Sequence, residues 1–100
     1  KYAEMMLSNF SCSKLYMGVD GIDLDYGITT TDMMEANLNR VMMQTAQKTI
    51  VLADSSKFGR RGFSKIGDME EVDHIITDSR IPDATAKRIE EMGIELTIAE

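Results

Sequence analysis

Apolar and polar positions in this chain fall into blocks whose period switches between strand-like and helical. Leu15 to Val19 is a compact apolar run stopped by Asp20-Gly21, the pattern of a buried strand followed by a turn. Ile22 to Thr31 reads as a loop holding Gly27 and three successive threonines. Asp32, with Glu35 three residues on, predicts a capped helix whose buried face is Met34, Leu38, Val41, Met42 and Thr45 and which ends near Ala46 to Lys48. Thr49 to Ala53 is β-branched and apolar throughout, as expected of a strand covered on both faces. A loop rich in Ser, Gly, Lys and Arg follows, with a short strand around Ser64 to Ile66. His74 to Thr77 reads as another short buried strand. Ile81-Pro82-Asp83 opens a helix with Ala86, Ile89 and Met92 on its apolar face, Gly93 ends it, and Ile94 to Ile98 is a last strand. Tyr2 to Phe10, with Met5, Met6 and Phe10, reads at most as a short amphipathic helix.

Strands alternating with helices at short spacing predict an α/β domain with a mostly parallel sheet. The 100 residues suffice for one domain and not comfortably for two. The pattern starts inside a helix-like stretch without a leading Met, so a portion of a larger domain is expected. A formal net charge of −6 argues against direct contact with nucleic acid, which needs a basic surface. Against that background the basic cluster Lys57, Arg60, Arg61 and Lys65 is suited to a small anion. Cys12 is the one cysteine, which excludes an internal disulfide and fits a reducing cytoplasm. No apolar run approaches the about 20 residues of a membrane span. The nine methionines fall largely in adjacent pairs on helical stretches, where core packing accounts for them.

Three predicted strands end in aspartate: Asp20, Asp54 and Asp78. In open parallel sheets, ligands bind beyond the C-terminal strand ends. Aspartate also favours turns and helix caps, so each residue alone has two readings, and the three together favour a common pocket edge. Lys57, flanked by Ser55, Ser56 and Gly59 just past a strand end, offers an ammonium, hydroxyls and loop amides to a phosphate or carboxylate. A solvated loop lysine is the alternative. Thr29-Thr30-Thr31 precedes the capped helix and either caps it or holds an anion there. His74 has no second histidine or cysteine at zinc spacing and reads as a structural side chain, and no metal or cofactor motif is present.

The succession Tyr16-Met17-Gly18-Val19-Asp20-Gly21-Ile22-Asp23, Gly27-Ile28-Thr29-Thr30, Ala53-Asp54-Ser55-Ser56-Lys57-Phe58-Gly59 and His74-Ile75-Ile76-Thr77-Asp78 resembles the effector domain of DeoR-family repressors. The resemblance implies a Rossmann-like fold, similar to ribose-5-phosphate isomerase and glucosamine-6-phosphate deaminase. It implies residues 1–100 as the C-terminal portion of one sugar-phosphate-sensing domain, in a repressor whose N-terminal helix-turn-helix binds operator DNA as a homodimer or homotetramer. The implied effector is a phosphorylated sugar, held by Asp20, Gly21, Thr29, Asp54, Ser55, Ser56, Lys57 and, more weakly, Asp78. Against the enzymes, Met17 stands where the isomerase has a second acidic residue. Thr30 and Asn39 stand near its catalytic lysine and glutamate, and Ile22 stands where the deaminase has a histidine. The binding residues look retained and the acid–base residues replaced, which favours a sensor over the two other readings, a sugar-phosphate isomerase or deaminase and a plain oligomerisation module.

Overall fold

The structure is a computed structural model that describes residues 12–99. Its main sheet is formed by β1 (Cys12–Gly18), β4 (Ala46–Leu52), β6 (His74–Asp78) and β7 (Glu95–Ala99), in that order and all parallel. A smaller antiparallel sheet joins β2 (Gly21–Asp23), β3 (Gly27–Thr30) and β5 (Ser64–Gly67). Helix α1 (Met33–Thr45) leads from β3 into β4, and α2 (Asp83–Glu91) connects β6 to β7. This is an α/β architecture with a parallel main sheet, as the alternating pattern predicts, and it is compatible with the Rossmann-like fold that the resemblance implies.

Each crossover in the main sheet steps the same way, from β1 to β4 to β6 to β7. Right-handed connections therefore fall on one face. The burial pattern agrees. Met17, Val51 and Ile75, side by side in register, share one core cluster with Ile22 and Ile28 of the small sheet, Met43 of α1 and Ile89 of α2. Their neighbours along the same strands point the other way, and Tyr16 and Leu52 are 56% and 41% exposed.

The segment expected to be a loop, Ile22 to Thr31, is instead a β-hairpin. Ile22 pairs with Ile28, both fully buried, and the turn between them is held by Asp23, whose carboxylate accepts from the amides of Asp25 and Tyr26. With only three and four residues per strand, the alternation is too short to read from the sequence alone.

Helix α1 starts as predicted, with the Asp32 carboxylate accepting from the amides of Met34 and Glu35. Its buried face is a different one: Ala36, Asn39 and Met43, while Leu38, Val41, Met42 and Thr45 are half-buried and Met34 is 80% exposed. Arg40 donates to the carbonyls of Ile66 and Lys65, which fixes the rotation of the helix over β5 and turns Met33 and Met34 outward. Core packing therefore explains Met17, Met43 and Met69 but not that pair. Strand β4 begins at Ala46, directly after the helix, rather than at Thr49. In α2, Ile89 is fully buried, Ala86 half-buried and Met92 largely outside, and Gly93 ends the helix at φ +83° as expected. The Tyr2 to Phe10 segment lies outside the described residues.

Candidate functional site

The C-terminal ends of β1, β4 and β6 come together at one edge of the sheet. Asp20 lies two residues beyond β1, Asp54 two beyond β4, and Asp78 closes β6. Asp20 is the most heavily bonded of the three. Its Oδ2 accepts from the Thr30 hydroxyl at 2.9 Å, the Thr31 amide at 3.1 Å and the Thr31 hydroxyl at 3.4 Å. These donors hold its carboxyl below the ordinary value of 3.8, the Thr30 hydroxyl most strongly, with the Lys57 charge adding to the effect. The Thr30 hydroxyl also lies 3.3 Å from Glu35 Oε1, so Glu35 faces the site instead of closing a capping box on Asp32.

Asp54 caps the single 3₁₀ turn Ser55–Lys57, accepting from the Ser56 amide at 2.9 Å and from the Ser56 hydroxyl. Those two bonds, the hydroxyl first, lower its pKa, as does Lys57, while Asp78 opposes the shift. Asp78 accepts from the Ser55 and Arg80 amides, both at 2.9 Å, and is likewise lowered, the Ser55 amide contributing most. The turn thus sets Lys57, itself half-buried, within electrostatic reach of both Asp20 and Asp54.

Asp20, Asp54, Lys57, Ser56 and Asp78 therefore meet at one edge. Gly21 and Thr29 are placed behind it. Thr29 is fully buried, its hydroxyl donating to the Gly21 carbonyl at 3.4 Å and accepting from the Gly62 amide at 2.7 Å. A side chain on Gly21 would put its Cβ 2.5 Å from the Arg60 carbonyl oxygen and 2.7 Å from the Thr29 hydroxyl. Ser55 lines an adjoining groove of about 330 Å³, together with Asp23, Asp25, Phe58, Thr85 and Arg88. The sequence reading missed Thr30, Thr31 and Glu35 as the polar neighbours of Asp20. The threonine run was the available signal, and strand alternation starting from a buried Thr29 would have singled out Thr30.

Chemically, the edge offers one ammonium, that of Lys57, and three carboxylates whose pKa is lowered. All three are ionised at neutral pH, so they accept hydrogen bonds from hydroxyls and hold no proton to donate. Among the described residues, no group of three or more His, Cys, Asp or Glu is placed to hold a metal ion, and no helix is long and apolar enough to cross a membrane. His74 is half-buried on β6, with Nε2 2.8 Å from the Thr97 hydroxyl.

The family model of the DeoR C terminal sensor domain matches residues 1–79. Over 96% of the chain, the sequence is 41% identical to a protein of Escherichia coli O157:H7 named as a candidate aga operon transcriptional repressor. It is 34% identical, over 94% of the chain, to the HTH-type transcriptional repressor GlcR of Bacillus subtilis. It is 33% identical, over 92%, to the HTH-type transcriptional regulator GlpR of Haloferax volcanii. The chain spans 36% of the length of each of these relatives. It belongs to the DeoR C-terminal sensor domain family.

Proposed function

We propose that this chain is the C-terminal portion of a single effector-sensing domain in a cytoplasmic DeoR-type repressor of sugar metabolism. Its effector is a phosphorylated sugar, and the domain senses it without turning it over. The observation that carries this reading is Lys57, placed by the Asp54-capped turn where its charge acts on Asp20 and Asp54. In this reading Lys57 pairs with the phosphate, assisted by Ser55 or Ser56. Asp20 and Asp54 accept from sugar hydroxyls at the strand ends, with Asp78 at the margin. Gly21 and Thr29 support the edge from behind. The lowered pKa values of the three aspartates favour a sensor, because a general acid needs a carboxyl that keeps its proton.

The full-length protein then binds operator DNA through an N-terminal helix-turn-helix, as a homodimer or homotetramer that reads paired half-sites. Effector binding shifts the balance between DNA-bound and released states through its different affinity for the two. Titration of the full-length protein with sugar phosphates and with the corresponding free sugars tests the assignment. Lys57→Ala is expected to weaken the phosphorylated ligands by about 10- to 100-fold, the size of a charge-assisted hydrogen bond, and to leave the free sugars nearly unchanged. Equal loss for both classes would refute the phosphate role. Turnover of a sugar phosphate that disappears in Asp20→Asn would establish an enzyme instead.

A further inference from the structure

We infer that Arg61 is a positioning residue of the proposed effector site, which sets Lys57 against Asp20 by clasping the loop after Lys57 to the β2–β3 hairpin. The inference rests on the reading of Lys57 as the phosphate partner and adds the residue that decides where Lys57 stands. By sequence, Arg61 and Lys65 belong with Lys57 to one basic cluster suited to an anion. The structure engages both with the chain itself. Arg61 Nε donates to Asp23 Oδ2 at 2.8 Å, and Lys65 pairs with Asp68. Both cations also lie over the Tyr26 ring, at 4.4 Å and 4.6 Å from its centre.

Asp23 ends β2, and Tyr26 sits in the turn that follows. The two oxygens of Asp23 divide the task. Oδ1 accepts the amides of Asp25 and Tyr26 and closes the turn, while Oδ2 receives Arg61. A planar guanidinium bonds to a carboxylate at its edge and stacks on an aromatic ring with its face, which a compact ammonium does not do. Arg61 therefore grips the closed form of the hairpin turn at two points, one polar and one aromatic.

The turn that carries Lys57 is anchored differently at its two ends. Its start belongs to the main sheet, through the Ser55 amide donated to Asp78 and the Asp54 cap. Its end belongs to the hairpin. Gly59, at φ +82°, redirects the chain and donates its amide to the Ile22 carbonyl at 2.8 Å, and the Gly62 amide donates to the Thr29 hydroxyl at 2.7 Å. Arg61 lies between these two bonds and adds a side-chain tie to the same hairpin. That hairpin leads into Thr30 and Thr31, which hold Asp20. The clasp thus fixes the end of the Lys57 turn to the element that orients Asp20. The Arg61 side chain is 57% exposed, and an exposed ion pair adds little to stability, so its contribution is to placement.

Titration of individual carboxyls by NMR, on the ligand-free full-length protein, tests the clasp. Lys57→Ala removes the ammonium and should make both Asp20 and Asp54 weaker acids, since its charge acts on both. Arg61→Ala keeps the ammonium but frees the end of its turn. It should make Asp20 a weaker acid by about twofold and leave Asp54, which shares the turn with Lys57, unmoved. Arg61→Lys restores a cation to Asp23 and Tyr26 and should recover part of the change. A variant that only loosened the fold would lower Tm and leave the folded-state titrations in place. Asp20 unmoved in Arg61→Ala, or Asp20 and Asp54 moved alike, would overturn the proposal. Inorganic phosphate, the group shared by the proposed effectors, is the binding probe, and Arg61→Ala should bind it about threefold more weakly than wild type. Equal binding by the two would also overturn the proposal. A wild type whose phosphate binding is absent, or indifferent to Lys57→Ala, would refute the phosphate reading instead, and the carboxyl titrations would still decide the clasp.

Discussion

Asp20 and Asp54 stand at equivalent places, each two residues past a parallel strand and each within the field of Lys57, yet they are held by different means. Asp54 is fixed by its own turn, through bonds to Ser56 two residues away. Asp20 is fixed by Thr30 and Thr31, ten and eleven residues further on, at the far end of the hairpin. A local turn orients its carboxylate whenever the turn forms. The orientation of Asp20 exists only when β2 and β3 are assembled. The site therefore has one side that is built locally and one that reports on the tertiary structure. A ligand touching Asp20 is coupled, through Thr30 and Glu35, to the first turn of α1.

The largest expected effect lies in the packing that carries the Asp20 side. Gly21→Val would drive its Cβ into the Arg60 carbonyl and the Thr29 hydroxyl, and backbone on that side cannot swing away as a flexible side chain would. Overpacking of this kind costs about 1–3 kcal/mol, and here the upper end applies, so thermal unfolding should show Tm lower by about 10 °C or more. An unchanged Tm would mean that the hairpin does not close on Arg60. A smaller loss is expected for Thr29→Val, which keeps the volume but leaves the Gly62 amide without its 2.7 Å partner. An unsatisfied buried donor costs about 1–3 kcal/mol, read as a shifted denaturant midpoint with an unchanged slope. No shift would show that water replaces the hydroxyl and that Thr29 is not a structural partner.

The same contrast explains how much could be read from the sequence. The four parallel strands and both helices announce themselves through apolar runs, the Asp32 cap and Gly93, because those signals are local. The turn at Asp54 is legible for the same reason, Asp-x-Ser being self-contained. The hairpin was missed because its two short strands owe their pairing to Ile22 and Ile28 meeting across five residues, with a buried core behind them. The rotation of α1 was missed because Arg40 bonds to carbonyls 25 and 26 residues away, which no helical periodicity reveals. In the sequence the threonine run reads as three equal hydroxyls. Only the strand's alternation sends one inward to Gly62 and the next to Asp20.

The smallest expected effect sharpens the comparison by acid. Both carboxyls titrate below their ordinary value of 3.8 in the folded chain, Asp20 chiefly through the Thr30 hydroxyl and Asp54 chiefly through the Ser56 hydroxyl. A lowered folded value means that each contributes stability above 3.8 and loses it as pH falls through the folded value. The bonds to Asp54 span two residues and persist in part in the unfolded chain, so the difference between its two states shrinks. The bonds to Asp20 need the hairpin and vanish on unfolding. Asp20→Asn should therefore flatten the fall in denaturant midpoint between about pH 5 and pH 2 more than Asp54→Asn does, with a modest change in each case. Equal flattening by the two variants would break the distinction, and would show that the Asp20 edge is preformed by the local chain rather than by the assembled hairpin.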